Sequence, residues 1–187
     1  MAMTTAAQYC IDNTNFLFRT NFSGDPARDT GKYPNDQRKA NIIIPSEDQA
    51  KDMLKAGIPI KKFQPKPRNE GDPMPDPIYY AKVQLQYRKK DGSLVQYPPK
   101  VYLIPDEDAD QVELTEETVS ILDTIRVKNV KIVVRPFLWD PVNEKISLKI
   151  KTMYVEQAMS DDPYADYYKK RREAARRQDF EEEEDPF

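Results

Sequence analysis

From residue 79 to residue 88 the chain alternates without a break. Tyr79, Ala81, Val83, Leu85 and Tyr87 fall on one side, and Tyr80, Lys82, Gln84, Gln86 and Arg88 on the other. A period of two places successive side chains on opposite faces of a strand, so this stretch predicts a sheet with an apolar inner face and a basic, wet outer one. Asp91-Gly92 then supplies the positive φ of a hairpin turn and predicts a return strand over 94–104. Pro98 and Pro99 interrupt that strand and cannot donate to a central ladder, which places them at an edge or bulge. Further strands are predicted at about 126–137 and 145–156 by the same alternation.

The remaining segments order themselves around this region. Residues 1–13 read as a flexible lead, and 15–22 as a strand with Phe16, Phe18 and Phe22 on one face and Arg19 on the other. Residues 40–44 form a short strand ended by Pro45. Ser46 to Gln49 reads as a capping box, predicting a helix to Ala56 in which Ala50, Met53 and Leu54 pack and Gly57 marks the stop. Residues 58–63 look extended, and 64–77, with five prolines and no apolar period, predict an exposed loop. Thr115-Glu116-Glu117 opens a second predicted helix, with Val119, Leu122 and Ile125 facing the core.

Strand, strand, strand, helix, strand, strand is the order of an OB-fold. The expected architecture over 14–157 is therefore mainly β: a five-stranded antiparallel barrel with one bridging helix, an additional short helix and long loops. Residues 158–178 predict a basic linker or helix, followed by an acidic, unfolded tail over 179–187.

Charge distribution narrows the function. Net charge is −3, but the last nine residues hold six of the 32 acids, and the rest of the chain sets 29 basic groups against 26 acidic ones. A mildly basic body with an acidic tail can hold a polyanion. The cations concentrate on strand faces: Lys82 and Arg88 on one strand, Lys131 and Arg135 on another, Lys149 and Lys151 on a third. Tyr80, Phe137 and Trp139 share those faces. Single-strand binders need this mixture, because cations follow phosphates while rings stack on bases of any identity; the same chemistry suits RNA.

Enzyme readings fare badly. There is no histidine, which removes the commonest general base and zinc ligand, and none of the five glycines forms a phosphate-binding loop. Asp123 and Asp140 could in principle hold Mg2+ for a nuclease, but no carboxylates stand at a motif spacing. No cofactor or metal is expected. The single Cys10 cannot form an intrachain disulfide, and no stretch reads as a signal peptide or membrane span, so a reducing, intracellular setting is expected.

Four blocks, Thr20-Asn21-Phe22-Ser23-Gly24, Arg38-Lys39-Ala40-Asn41-Ile42-Ile43-Ile44, Leu122-Asp123-Thr124-Ile125-Arg126 and Lys151-Thr152-Met153-Tyr154-Val155, resemble those of bacteriophage single-stranded DNA-binding proteins of the OB-fold type. The resemblance extends over residues 15–157. It implies sequence-independent binding of single-stranded DNA in phage replication, recombination or repair, without catalysis, in the cytoplasm of an infected bacterium. Arg19 and Lys39 join the candidate DNA contacts on that ground. The end of the chain, Asp185-Pro186-Phe187, resembles the tails of bacterial single-strand binders. That similarity implies recruitment of replication or recombination proteins by a segment that also competes with DNA. It departs from them in having no long Gly- or Gln-rich linker. The alternative from the residues alone is an adaptor whose tail is the functional element and whose barrel is only a scaffold.

Overall fold

The computed structural model describes residues 8–106, 109–158 and 170–177. Among the described residues up to 158, nine strands and one α-helix are formed. They are β1 Tyr9–Thr14, β2 Phe16–Asn21, β3 Lys39–Ile44, α1 Glu47–Lys55, β4 Lys61–Phe63, β5 Ile78–Gln84, β6 Lys100–Ile104, β7 Val112–Leu114, β8 Val127–Asp140 and β9 Lys145–Gln157. Short 3-10 turns lie at Pro26–Arg28 and Val119–Asp123, and residues 170–177 are helical. The strands form one sheet in the order β1-β8-β9-β5-β3-β2, with β4 on β5, β6 on β9 and β7 on β6.

The mainly β expectation holds, but the five-stranded antiparallel barrel does not describe the sheet. Two pairings, β5 with β9 and β6 with β9, are parallel, and the path does not close by a ladder. Its two ends are consecutive in sequence and meet at Asn15. The Asn15 carbonyl accepts from Ile43 N at 3.1 Å, while its side-chain amide donates to Val127 O at 3.0 Å. The sheet thus curls around one core, in which Phe22, Ile42, Met53, Val83, Val130, Ile132 and Met153 are essentially fully buried.

Several local expectations need correction. Residues 9–13, expected within the flexible lead, join Thr14 in β1 and pair with β8 from Tyr9↔Val134 to Thr14↔Val130, burying Ile11. The hairpin after β5 dissolves after one bridge, Arg88↔Leu94; Pro98 and Pro99 lack the N–H groups to continue it, and β6 pairs instead with β9 and β7. The second helix is only the 3-10 turn Val119–Asp123, though Val119 and Leu122 are buried as expected. Its β-branched run, Thr118, Val119, Ile121 and Thr124, disfavours a longer helix. In α1, Ser46 caps by accepting from Gln49 N at 3.2 Å and Gly57 ends the helix at φ +86°. The Gln49 side chain does not reach back to the cap but donates to Cys10 O at 3.0 Å, and Leu54 lies outside the core.

Candidate nucleic-acid interface

Register places the outward-facing side chains of five strands on one continuous surface. Lys61 of β4 pairs with Tyr80 of β5, Asn41 of β3 with Lys82, and Lys39 with Gln84. Gln84 in turn pairs with Lys149 of β9, and Lys149 with Arg135 of β8. The residues between them, Ala81, Val83, Leu148, Ile150 and Val134, are buried in the core, so the polar and aromatic set is held outward by the strand period.

Aromatic rings border this surface on two sides. Phe18, Phe63 and Tyr80 form an edge-to-face cluster, with Phe18 5.2 Å from Phe63 and 5.6 Å from Tyr80. At the other side Phe137 lies 5.5 Å from the Lys149 ammonium, and Trp139 5.3 Å from that of Lys145. Phe18, Phe137 and Trp139 are each more than half exposed, at 53%, 51% and 54%. Large rings left half in water beside cations are poised to stack on bases.

Phe18 owes its place to an irregularity in β2. Between Leu17↔Asn41 and Asn21↔Lys39 the strand takes four residue steps where β3 takes two, and within that bulge Phe18 adopts φ +63°. Phe16 and Phe22 stay inside, 5.3 Å apart, so the expected common face of three phenylalanines does not form. A bulky residue at positive φ is strained by about 1–3 kcal/mol, and such strain concentrates at functional sites.

The lysines are not electrostatically alike. Lys82 is exposed at the surface and Lys149 is partly buried, and desolvation by the surrounding protein is the main cause lowering the pKa of each. Lys39 and Lys61 lower Lys82 further against the opposing charge of Asp29, and Lys82 lowers Lys149. Lys149 Nζ donates to Gln84 Oε1 at 2.5 Å. Lys39 is committed elsewhere: its ammonium lies 2.7 Å from Asp29 Oδ2. Hydrogen bonds from Lys39 and from the backbone N–H groups of Gly31 and Asn35 hold the Asp29 carboxyl at about 2, below its usual 3.8.

A carboxyl depressed in the folded state stabilises it above the unfolded pKa and ceases to do so as pH falls through the folded one. Asp29→Asn is therefore expected to be less stable than the parent near neutrality, with the gap closing between pH 3.8 and about 2, as checked by urea unfolding at stepped pH. The same variant releases Lys39 and should tighten binding of a polyanion.

Of the sequence-derived candidates, the structure brings together Lys39, Tyr80, Lys82, Arg135, Phe137 and Lys149, with Trp139 two residues beyond Phe137 at a register shift in β8. It sets others apart. Arg88 is tied to Glu116 at 2.9 Å and to Gly92 O. Lys131 pairs with Tyr154 farther along β8, where Tyr154 stacks on Tyr102 at 4.9 Å. Lys151 sits at a bulge in β9 and donates to Gln8 at 3.3 Å. Arg19 is exposed and borders a shallow hollow with Arg28 and Asp123. Asp185, Pro186 and Phe187 lie outside the described residues.

Sequence reasoning missed Lys61, Phe63 and the outward Phe18. The basic-aromatic triplet Lys61-Lys62-Phe63 was a usable signal for the first two; nothing in the sequence marks the bulge. Asp123 and Asp140, weighed as metal ligands, serve local structure instead. Asp123 accepts from Thr20 Oγ1, Phe22 N and Ser23 N at 2.7–2.8 Å, and Asp140 accepts from Asn143 in the turn before β9.

Among curated proteins, none matches the chain. Of solved structures, the crystal structure of gp2.5, a single-stranded DNA binding protein encoded by bacteriophage T7, is similar over 87% of this chain and 94% of that one, at 14% identity and a TM-score of 0.40. The sequence model of the phage ssDNA-binding domain, a family of binding proteins rather than enzymes, matches residues 3–186. With that match spanning nearly its whole length, the chain belongs to the phage ssDNA-binding domain family.

Proposed function

We propose that this chain binds single-stranded DNA without sequence preference during phage DNA replication, recombination or repair, in the cytoplasm of the infected host. The observation that carries the reading is the sheet face just described, with lysines of lowered pKa flanked by exposed rings on either side. Phosphates lie along the cations while unstacked bases meet the rings, which a duplex cannot offer without melting. Lys61, Lys82, Arg135 and Lys149 neutralise phosphates; Phe18, Phe63, Tyr80, Phe137 and Trp139 stack. The acidic segment 179–187 competes with DNA for the cations, and its displacement exposes Asp185, Pro186 and Phe187 to other replication or recombination proteins.

Trp139, the single tryptophan, reports on this directly. Titration with oligo-dT should quench its fluorescence, duplex of equal length should not, and affinity should fall with salt by a log–log slope of about 0.7 per phosphate contacted. Removing 179–187 should tighten binding at low salt. If the shortened chain binds neither DNA, the reading fails and the tail becomes the functional element.

A further inference from the structure

We propose that Lys82 and Lys149 together seat a single phosphate group, the anchoring point of the face, with the Gln84 amide between them and Phe137 alongside. The inference rests on the reading of this face as a DNA surface and goes beyond it by assigning two lysines to one phosphate instead of one each.

Three observations converge. First, Lys82 and Gln84 are next neighbours on the outer face of β5, and Gln84 pairs in register with Lys149, so the two ammonium stems flank one amide. That amide is fixed at both ends, since its Nε2 donates to Gln37 Oε1 at 3.2 Å and its Oε1 accepts from Lys149. Second, among the described residues neither lysine is paired with a carboxylate of its own. Asp29, the acid that acts on Lys82, is bound to Lys39. Lys149 has the neutral Gln84 oxygen and the face of Phe137 as its contacts, with Arg135, another cation, opposite it in β8. Third, each ammonium, that of Lys149 partly buried, is pressed toward its neutral form by desolvation and by a neighbouring cation, Lys82 by Lys39 and Lys61, Lys149 by Lys82. Two cations drawn together and partly desolvated are costly unless an anion joins them. A phosphodiester, with two charged oxygens diverging from one centre, satisfies both at once. The bulkier free phosphate dianion fits the same chemistry but lacks the bases that would engage the rings.

The test measures oligo-dT affinity against salt for the full chain, for Lys82→Met, for Lys149→Met and for the double variant; methionine keeps most of the apolar stem, and circular dichroism verifies folding. If one phosphate is shared, each single variant weakens binding about tenfold and lowers the log–log salt slope by about 0.7, and the double variant loses little more in either quantity. Lys149→Arg, which keeps the charge, should retain the slope. Multiplying losses with a slope reduced by about 1.4 in the double variant mean two independent phosphates and overturn the seat. Variants that keep the full slope while the parent binds oligo-dT also overturn the seat but leave the DNA surface standing. A parent chain that binds no oligo-dT overturns the functional reading as well. Inorganic phosphate that displaces oligo-dT from the parent but not from the double variant, beyond an equal ionic strength of chloride, supports the seat.

Discussion

Asp123→Ala is expected to lower the unfolding free energy by about 3–5 kcal/mol, the usual cost of removing one partner from a buried, hydrogen-bonded ion pair. The Asp123 side chain is 3% exposed, accepts three hydrogen bonds and pairs with one guanidinium. Thr20 Oγ1 and the backbone N–H groups of Phe22 and Ser23 approach within 2.7–2.8 Å, and Arg28 Nε lies 3.6 Å away. Arg28 is itself tied back to Thr20 O at 3.0 Å. The carboxylate thus pins the end of β2 to the turn before β8, across about a hundred residues of chain, and Phe22 in the core sits directly on that pin. Alanine leaves two backbone donors and a guanidinium facing an apolar gap, and each unsatisfied buried donor adds about 1–3 kcal/mol. Asp123→Asn keeps one acceptor oxygen and should fall between. Asp140→Ala, which removes only an exposed turn contact with Asn143, is the control and should move the urea midpoint little. A midpoint for Asp123→Ala indistinguishable from that control would mean the β2 end is held by packing alone.

That pin also shows what was legible in the sequence and what was not. The blocks Thr20-Asn21-Phe22-Ser23-Gly24 and Leu122-Asp123-Thr124-Ile125-Arg126 stood out as a resemblance without any hint that they touch, because a contact a hundred residues apart leaves no periodic trace. β8 and β9 were readable over most of their length, although β8 continues to Asp140 and carries bulges: Val130, Ile132 and Val134 against Lys131, Val133 and Arg135 obey the period of two for which burial on one side selects. β1 was not, since Tyr9-Cys10-Ile11-Asp12-Asn13-Thr14 is short and polar and becomes a strand only through its distant partner β8.

The same contrast divides the site. Lys82, Lys149 and Arg88 followed from alternation, which counts cations without their partners, so Arg88 was credited with a charge that Glu116 already engages; Lys39, brought in by resemblance, is engaged by Asp29. Phe18 is the sharpest case. A strict period assigns it to the core beside Phe16 and Phe22, and only the bulge in β2 turns it outward.

Because that outward position costs backbone strain, Phe18 should separate stability from binding, and two substitutions reveal it. Phe18→Ala removes the ring but keeps a Cβ at φ +63°. Phe18→Gly removes the ring and, with it, the clash that a left-handed conformation imposes, about 1–2 kcal/mol for an L-residue. The glycine variant should therefore be more stable than the alanine variant by about 1 kcal/mol, read as a higher urea midpoint at unchanged slope. Both should bind oligo-dT about 5- to 150-fold more weakly than the parent, since one stacked base is worth about 1–3 kcal/mol. Equal loss of affinity from unequal stability would assign the binding to the ring itself and the strain to its placement. If instead Phe18→Gly bound as tightly as the parent, the cluster with Phe63 and Tyr80 would be a surface patch that steadies the bulge, and the stacking role would pass to Phe137 and Trp139 on the far side of the lysines.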